Sequence, residues 1–448
     1  MEPQVSADNS PLEMALAAFR GGDYAQAEEL LSAFVRMRFD IALKKLTIRR
    51  DALSLNSVNG FIETAEGGTL FFKFHMEEDE AESGEYYRAQ LLSEIGYPVE
   101  EPLFTSQDKG EQFLIYPYVE SARLADLCRE QDSKPADDPL SADILNAQAE
   151  LDKICAAKCL ETMTEGTPEI LTQEPVLQLF YWRLVDQAPD GSVKPGGRFK
   201  SFYEGKDFTF PDGVTLNYDE LAAMTWVVNN VRYGKTLAQC FADARKVLAP
   251  DHYAQYAAYT GHGDAHNGNV WAHKNLQAEG GYKLSWFDPA FAGTHIPVLL
   301  GEIKPTFHNI FAHADWLYNA AEADGRYNVR AEIKGQEIHV THDWHLPELR
   351  EGFLQLKKEL FWIPVLKVLN ANGKLPADWQ DYMRLALFCC PTLVMNLRAA
   401  AGTSQNAHTP KTSLLGLSIA MMLGSAPDAD GKDVVSTFFD EIEQAIVG

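Results

Sequence analysis

The stretch His262-Gly263-Asp264-Ala265-His266-Asn267-Gly268-Asn269 is followed, after a strand-like apolar run, by Phe287-Asp288-Pro289. These two stretches decide the reading of the chain. Histidine, aspartate, asparagine and glycine are common turn residues, and taken alone the first stretch could be a polar turn. Its neighbours argue for more. Asn269-Val270-Trp271 opens one β-run, Tyr282-Lys283-Leu284-Ser285-Trp286-Phe287 forms another, and Gly280-Gly281 stands between them, so a hairpin is predicted. Such a hairpin would return the chain so that Asp288 comes back toward Asp264 and Asn269.

The pattern His-x-Asp-x-x-x-x-Asn, a strand and then a second Asp resembles the catalytic loop and metal-binding segment of kinases. Gly263 stands in place of an arginine, and Asp288-Pro289-Ala290-Phe291-Ala292-Gly293 in place of Asp-Phe-Gly. No Ala-Pro-Glu follows, and Thr294 is the only hydroxyl before Thr306. The polypeptide-docking segment is therefore missing, and the chain is similar to the aminoglycoside phosphotransferase and choline kinase families across residues 41 to about 320. The resemblance implies an α+β, bilobal protein-kinase-like fold. A helical extension (1–40) would precede a small β-rich N-lobe that binds nucleotide (41–121) and a larger, mostly helical C-lobe (122–448). It also implies roles: Asp264 orients and deprotonates an acceptor hydroxyl, Asn269 and Asp288 hold Mg2+, and His262 is a scaffold residue. His266 lies near the acceptor.

The preceding sequence carries the rest of this expectation. Residues 11–37 contain two short helical patterns split by Gly21-Gly22-Asp23, a helical hairpin that cannot bury its own apolar face and needs a neighbour. Strands are predicted over 43–48, 60–64 and 69–75. Lys73 is one cation in an apolar strand. It is either a polar-face residue or, by resemblance, the lysine that pairs the α- and β-phosphates of ATP, with Glu85 on the next helix as its partner. Residues 55–60 form the nucleotide-covering turn of that reading, with Ser57, Asn59 and Gly60 as contacts, although the turn lacks Gly-x-Gly-x-x-Gly. Residues 112–119 read as the strand leading to an adenine-binding hinge. Pro117 has no N–H to give, so Val119 is the expected donor, with Tyr118 alongside. No Gly-x-x-x-x-Gly-Lys-Ser/Thr occurs, which removes a P-loop, and no Gly-x-Ser-x-Gly occurs, which weakens a hydrolase reading.

Sixty-four acidic against 39 basic residues give a net charge of −25, so no nucleic acid and no anionic membrane surface is expected as a partner. Together with Glu302 and Asp315 downstream of Asp288, this acidity suggests a small-molecule acceptor that is cationic or polyhydroxylated, such as an aminoglycoside, amino alcohol or sugar. A hydrophobic content of 46% excludes a mainly disordered chain. Six scattered cysteines suit reduced thiols in a cytoplasmic protein, and Cys155 with Cys159 has no second pair to complete a metal site. His339, His342 and His345 recur at three-residue spacing, but residues 337–341 alternate like a strand, which sends His339 and His342 to opposite faces. Residues 127–146 read as a loop, 176–185 as helix, and 186–217 as a turn-rich insertion. Two other functions fit the same motifs: a catalytically silent nucleotide-binding scaffold, and transfer of a nucleotidyl group.

Overall fold

The computed structural model describes residues 11–50, 57–75, 84–106, 113–135, 137–253, 257–275, 281–312, 314–400, 407–428 and 431–447. The architecture is α+β, with the strands of a large sheet first and most helices later. It divides into two compact units, Met1–Ser121 and Ala122–Gly448.

The first unit begins with helices α1 (Pro11–Arg20) and α2 (Tyr24–Phe39). Asp23 starts α2 by accepting a hydrogen bond from the Gln26 N–H, and Asp40 ends it in the left-handed region, as capping chemistry requires. Strands β1 (Leu43–Ile48), β2 (Ser57–Thr64) and β3 (Thr69–His75) follow, then α3 (Gly84–Ile95), β4 (Phe104–Ser106) and β5 (Phe113–Pro117). They form one antiparallel sheet of order β1-β2-β3-β5-β4. Strand alternation gives this sheet two different faces. Val58, Ile62, Phe72, Phe74, Phe113 and Ile115 lie in one cluster with Leu12, Leu31, Phe34 and Val35 of the helical hairpin, so the sheet is the neighbour that α1 and α2 need. Phe72 stacks on Phe113 at a ring distance of 5.3 Å. Gly60 lies opposite Ile48 and Phe72 on this crowded face, and a Cβ there would strike the Thr47 carbonyl oxygen and the Phe72 ring.

In the second unit, β6 (Ala122–Arg123) leads into α4 (Leu124–Gln131) and α5 (Pro139–Glu161). The loop expected over 127–146 is thus mostly helix. Pro139 initiates α5 from its first turn, with Asp138 accepting the Leu140 N–H; a proline at this position costs nothing, because its missing N–H would have been unpaired anyway. Residues 176–185 form two 3₁₀ turns, Pro175–Leu179 and Tyr181–Arg183, instead of an α-helix. They are broken at Phe180, whose backbone is non-helical. The segment 186–217 contains two small strand pairs, Val185–Gln187 with Val193–Pro195 and Asp207–Thr209 with Thr215–Asn217. Later helices Trp379–Val394 and Pro410–Gly424 are buried along most of their length and pack on each other. Among the described residues no helix is long and apolar enough to cross a membrane, and the six cysteines are buried and unpaired with one another.

Candidate functional site

Two pairs of short strands position the loop. Ala257–Gly261 pairs with Gly293–Pro297, with a register irregularity between Tyr259 and Gly261, and such bulges re-aim a chain where pairing ends. Val270–Lys274 pairs with Tyr282–Trp286 as the expected hairpin, and β6 adds to its other edge. Between these strands lies the loop from His262 to a 3₁₀ turn over Asn267–Asn269.

Hydrogen bonds tie the loop to the hairpin. His262 donates from Nε2 to the Phe287 carbonyl (3.1 Å) and accepts the Asp264 N–H at Nδ1 (3.3 Å). Burial lowers its pKa, so it serves as a neutral strut with one tautomer. The Asn269 side chain donates from Nδ2 to the Asp264 carbonyl oxygen (3.0 Å), and its own backbone carbonyl accepts the Phe287 N–H (3.0 Å). Because Nδ2 is committed to the loop, Oδ1 of Asn269 is turned away from it. That oxygen and the Asp288 carboxylate are hard donors of the kind that suit Mg2+, which favours few protein ligands and keeps places for phosphate oxygens and water. Among the described residues no group of three or more His, Cys, Asp or Glu could itself enclose a metal. Asp288 is in the left-handed region (φ 56°), an arrangement that costs a non-glycine residue roughly 1–2 kcal/mol. Gly263 has φ 76°, and a Cβ there would strike the Phe291 carbonyl oxygen. The arginine of protein kinases has no room at this position.

Asp264 is buried, and its Oδ1 accepts no hydrogen bond. Lys304 Nζ lies 3.6 Å from that oxygen, and His266 Nε2 lies 3.9 Å from Oδ2. His266 accepts the Gly268 N–H at Nδ1 (3.0 Å), so its remaining proton is on the nitrogen facing Asp264. Lys304 comes from the short helix Ile303–Thr306 and His308 from the π-helical turn Phe307–Phe311 that continues it. Lys304 Nζ is 3.2 Å from His308 Nε2, and the Tyr318 hydroxyl is 2.9 Å from His308 Nδ1. Burial, reinforced by the charges of Lys304, His266 and Arg183, holds His308 well below its ordinary pKa.

The other expected site residues fall as follows. Lys73 lies opposite Asn59 in the β2–β3 ladder, which puts both on the sheet face away from the α1–α2 core. Phe61 and Phe71 share that face, and Tyr118 meets Phe61 edge to face at 5.6 Å; these rings were not singled out from sequence, where they read as ordinary strand residues. Gly60 lies on the opposite, core-facing side, so its need for glycine comes from packing. Val119 follows the end of β5. The backbones of Ser57 and Glu85 lie in β2 and α3, while their side chains, like that of Asp315, lie outside the described residues. Glu302 does not meet the expectation of an acceptor contact: it is buried and bound to Lys357 Nζ at 3.0 Å, and Lys357 also binds Asp152. A carboxylate engaged in a core ion pair is not available to a substrate. His339 is partly exposed and pairs with Glu337 (2.9 Å), whereas the His342 side chain is buried, the divergence that strand alternation demands.

No family model matches the chain. No curated protein matches it either. Several solved structures resemble it. Amicoumacin kinase in complex with AMP-PNP, Ca2+ and Ami is 13% identical, with 92% of this chain and 97% of that one covered and a TM-score of 0.40. Spectinomycin phosphotransferase in complex with ADP and spectinomycin is 11% identical (88% and 98% covered, TM-score 0.34). Ethanolamine kinase of Plasmodium vivax is 12% identical (88% and 98% covered, TM-score 0.35). The chain is thus similar over most of its length to solved structures of small-molecule kinases, at low sequence identity.

Proposed function

We propose that this protein is an ATP-dependent phosphotransferase that acts on a hydroxyl of a small molecule. The observation that carries this reading is the single hydrogen-bonded assembly of the loop and hairpin. One buried carboxyl, Asp264, has an unbonded oxygen, while Asn269 and Asp288 are fixed at the ends of the two strands that flank it. Asp264 accepts the acceptor's hydroxyl proton as the acceptor oxygen forms a bond to the γ-phosphorus. The bond from that phosphorus to the β,γ-bridging oxygen breaks, and ADP leaves with its electron pair. Asn269 and Asp288 would hold Mg2+, which when bound neutralises the charge of the triphosphate. By the resemblance, Lys73 of β3 steadies the α- and β-phosphates from the sheet face it shares with Asn59, Ser57 is a further contact, Gly60 of the same expected turn is a packing residue instead, and Val119 and Tyr118 receive the adenine.

The test is an ADP-release screen with purified protein, ATP and Mg2+ against hydroxyl-bearing amines, sugars, nucleosides and hydroxy acids, with mass spectrometry of the acceptor. A product heavier by one phosphoryl group is expected. A whole nucleotide on the acceptor would replace the reading with nucleotidyl transfer, and nucleotide binding without turnover across the screen would replace it with a silent scaffold.

A further inference from the structure

Glu302 and Lys304 stand two residues apart, and each meets a buried group of opposite charge in a different way. Glu302 accepts a hydrogen bond from Lys357 Nζ at 3.0 Å, and Lys357 is bound to Asp152 as well, a closed ion pair of the core. Lys304 is equally buried, yet its Nζ stops 3.6 Å from Asp264 Oδ1, an oxygen that accepts no hydrogen bond. It donates instead to a ring nitrogen, His308 Nε2, at 3.2 Å.

The roles along this contact follow from donor count. An ammonium has three donors and no acceptor, so His308 Nε2 accepts and the single proton of the neutral ring is on Nδ1. Burial keeps that ring neutral. Nδ1 lies 2.9 Å from the Tyr318 hydroxyl, and the ring therefore donates to the Tyr318 oxygen. The segment that carries Lys304 is also held from behind. It runs from Glu302, which Lys357 binds, to Thr306, whose hydroxyl oxygen accepts the Trp362 Nε1–H at 3.0 Å. Lys357 and Trp362 are the two ends of a second π-helical segment, Lys357–Trp362. The ammonium is thus placed by groups other than the carboxylate it faces.

A buried carboxylate without a counter-charge is costly and tends to take up a proton, while one whose lone pairs are filled by strong donors is a poor base. An ammonium 3.6 Å away balances the charge and leaves the oxygens open, and on the other side His266 Nε2 is 3.9 Å from Oδ2. We propose that Lys304, held by His308 and Tyr318, is a positioning residue that balances the charge of the Asp264 carboxylate and leaves its oxygens open to the acceptor's hydroxyl proton. This rests on the phosphotransferase reading, in which Asp264 takes that proton as the acceptor oxygen bonds to the γ-phosphorus. Lys304 acts through Asp264.

The ring is tested first, without turnover. Long-range ¹H–¹⁵N spectra of the full chain labelled with ¹⁵N-histidine, with His308 assigned by its loss in His308→Gln, report which nitrogen carries the proton. The Nδ1–H form is expected, with an Nε2 resonance that moves in Lys304→Met; the Nε2–H form, or an unmoved resonance, overturns the proposal. Initial rates of Mg2+-ATP consumption follow, with water as the acceptor and with any acceptor that the screen returns. Lys304→Met should lower kcat by about 10–100-fold, the range for losing a group that orients a functional residue from behind, with KM for Mg2+-ATP nearly unchanged. Lys304→Arg, which keeps the charge, should restore part of the loss. In an Asp264→Asn background Lys304→Met should cost nothing further, because an amide needs no counter-charge, whereas a merely structural lysine slows both backgrounds alike. Equal losses in the two backgrounds, or an unchanged kcat in Lys304→Met, overturn the proposal. If Lys304→Met does not fold, His308→Leu takes its place in the same cycle with the same expected and overturning results. Failure of the phosphotransferase reading shows separately, as a wild-type chain that neither binds nor consumes Mg2+-ATP.

Discussion

Two residues divide the labour of the site, and each has its own measurable failure. Asp264→Asn keeps the shape of the side chain but removes the proton acceptor, so turnover should fall by on the order of 10²–10⁴-fold, the range for losing a positioned base. Nucleotide affinity should stay nearly unchanged, because the contact of Asn269 with Asp264 runs through the backbone carbonyl. Steady-state kinetics with calorimetry of ATP binding checks both halves. Asp288→Ala should do the opposite, abolishing Mg2+-dependent ATP binding because the ion loses its carboxylate ligand; equal affinity for Mg2+-ATP in both proteins would place the metal elsewhere. Gly263→Ala forces a side chain into φ 76° and against the Phe291 carbonyl. The loop should lose about 1–3 kcal/mol of stability, read as a lower urea midpoint with an unchanged slope.

At the scale of elements, the catalytic loop is braced by a chain of buried polar contacts from distant segments. Arg350, on helix Glu348–Leu356, binds Asp132 through Nε (2.6 Å) and Nη2 (3.0 Å), and its Nη1 donates to the Asn309 carbonyl (2.8 Å). Asn309 Oδ1 in turn accepts the Asn267 N–H at 2.8 Å. The π-helical turn Phe307–Phe311 that presents Asn309 inserts an extra residue into its helix, a distortion common at functional sites. Removing Arg350 takes from the buried Asp132 carboxylate the guanidinium that binds both its oxygens, and Arg350→Met should cost about 3–5 kcal/mol. The double variant Arg350→Met/Asp132→Asn should recover part of that loss, because it removes the buried negative charge together with the guanidinium that faced it. A thermodynamic cycle from urea unfolding measures the coupling, and strictly additive losses would show that the pair does not act as a unit.

For the whole molecule, acid is the condition that exposes the cost of its buried imidazoles. Burial holds His342 and His408 at about 4, below the ordinary 6.5. A group with a lowered folded pKa binds fewer protons folded than unfolded. Its contribution is therefore intact above pH 6.5 and is lost as pH falls from there toward 4, by about 3 kcal/mol each at pH 4. Carboxylates titrate in the same region, so the test compares wild type with His408→Gln: the variant's stability should fall less between pH 7 and pH 4.5, and parallel curves would refute the assignment. The sequence by itself determined the hairpin, the Asp264–Asn269–Asp288 spacing and the strand over 69–75 that carries Lys73 among apolar residues. Each depends on periods of a few residues that local backbone geometry fixes. It did not disclose Lys304, His308 or Tyr318, because Ile303-Lys304-Pro305 reads as a stray cation in an apolar run. Nor could it show that Glu302 is consumed by Lys357, or that Pro139 opens a helix instead of closing a loop. Only tertiary packing decides which charge stands beside the Asp264 carboxyl, since an ion pair is set by distance in space, and net charge records only the sum.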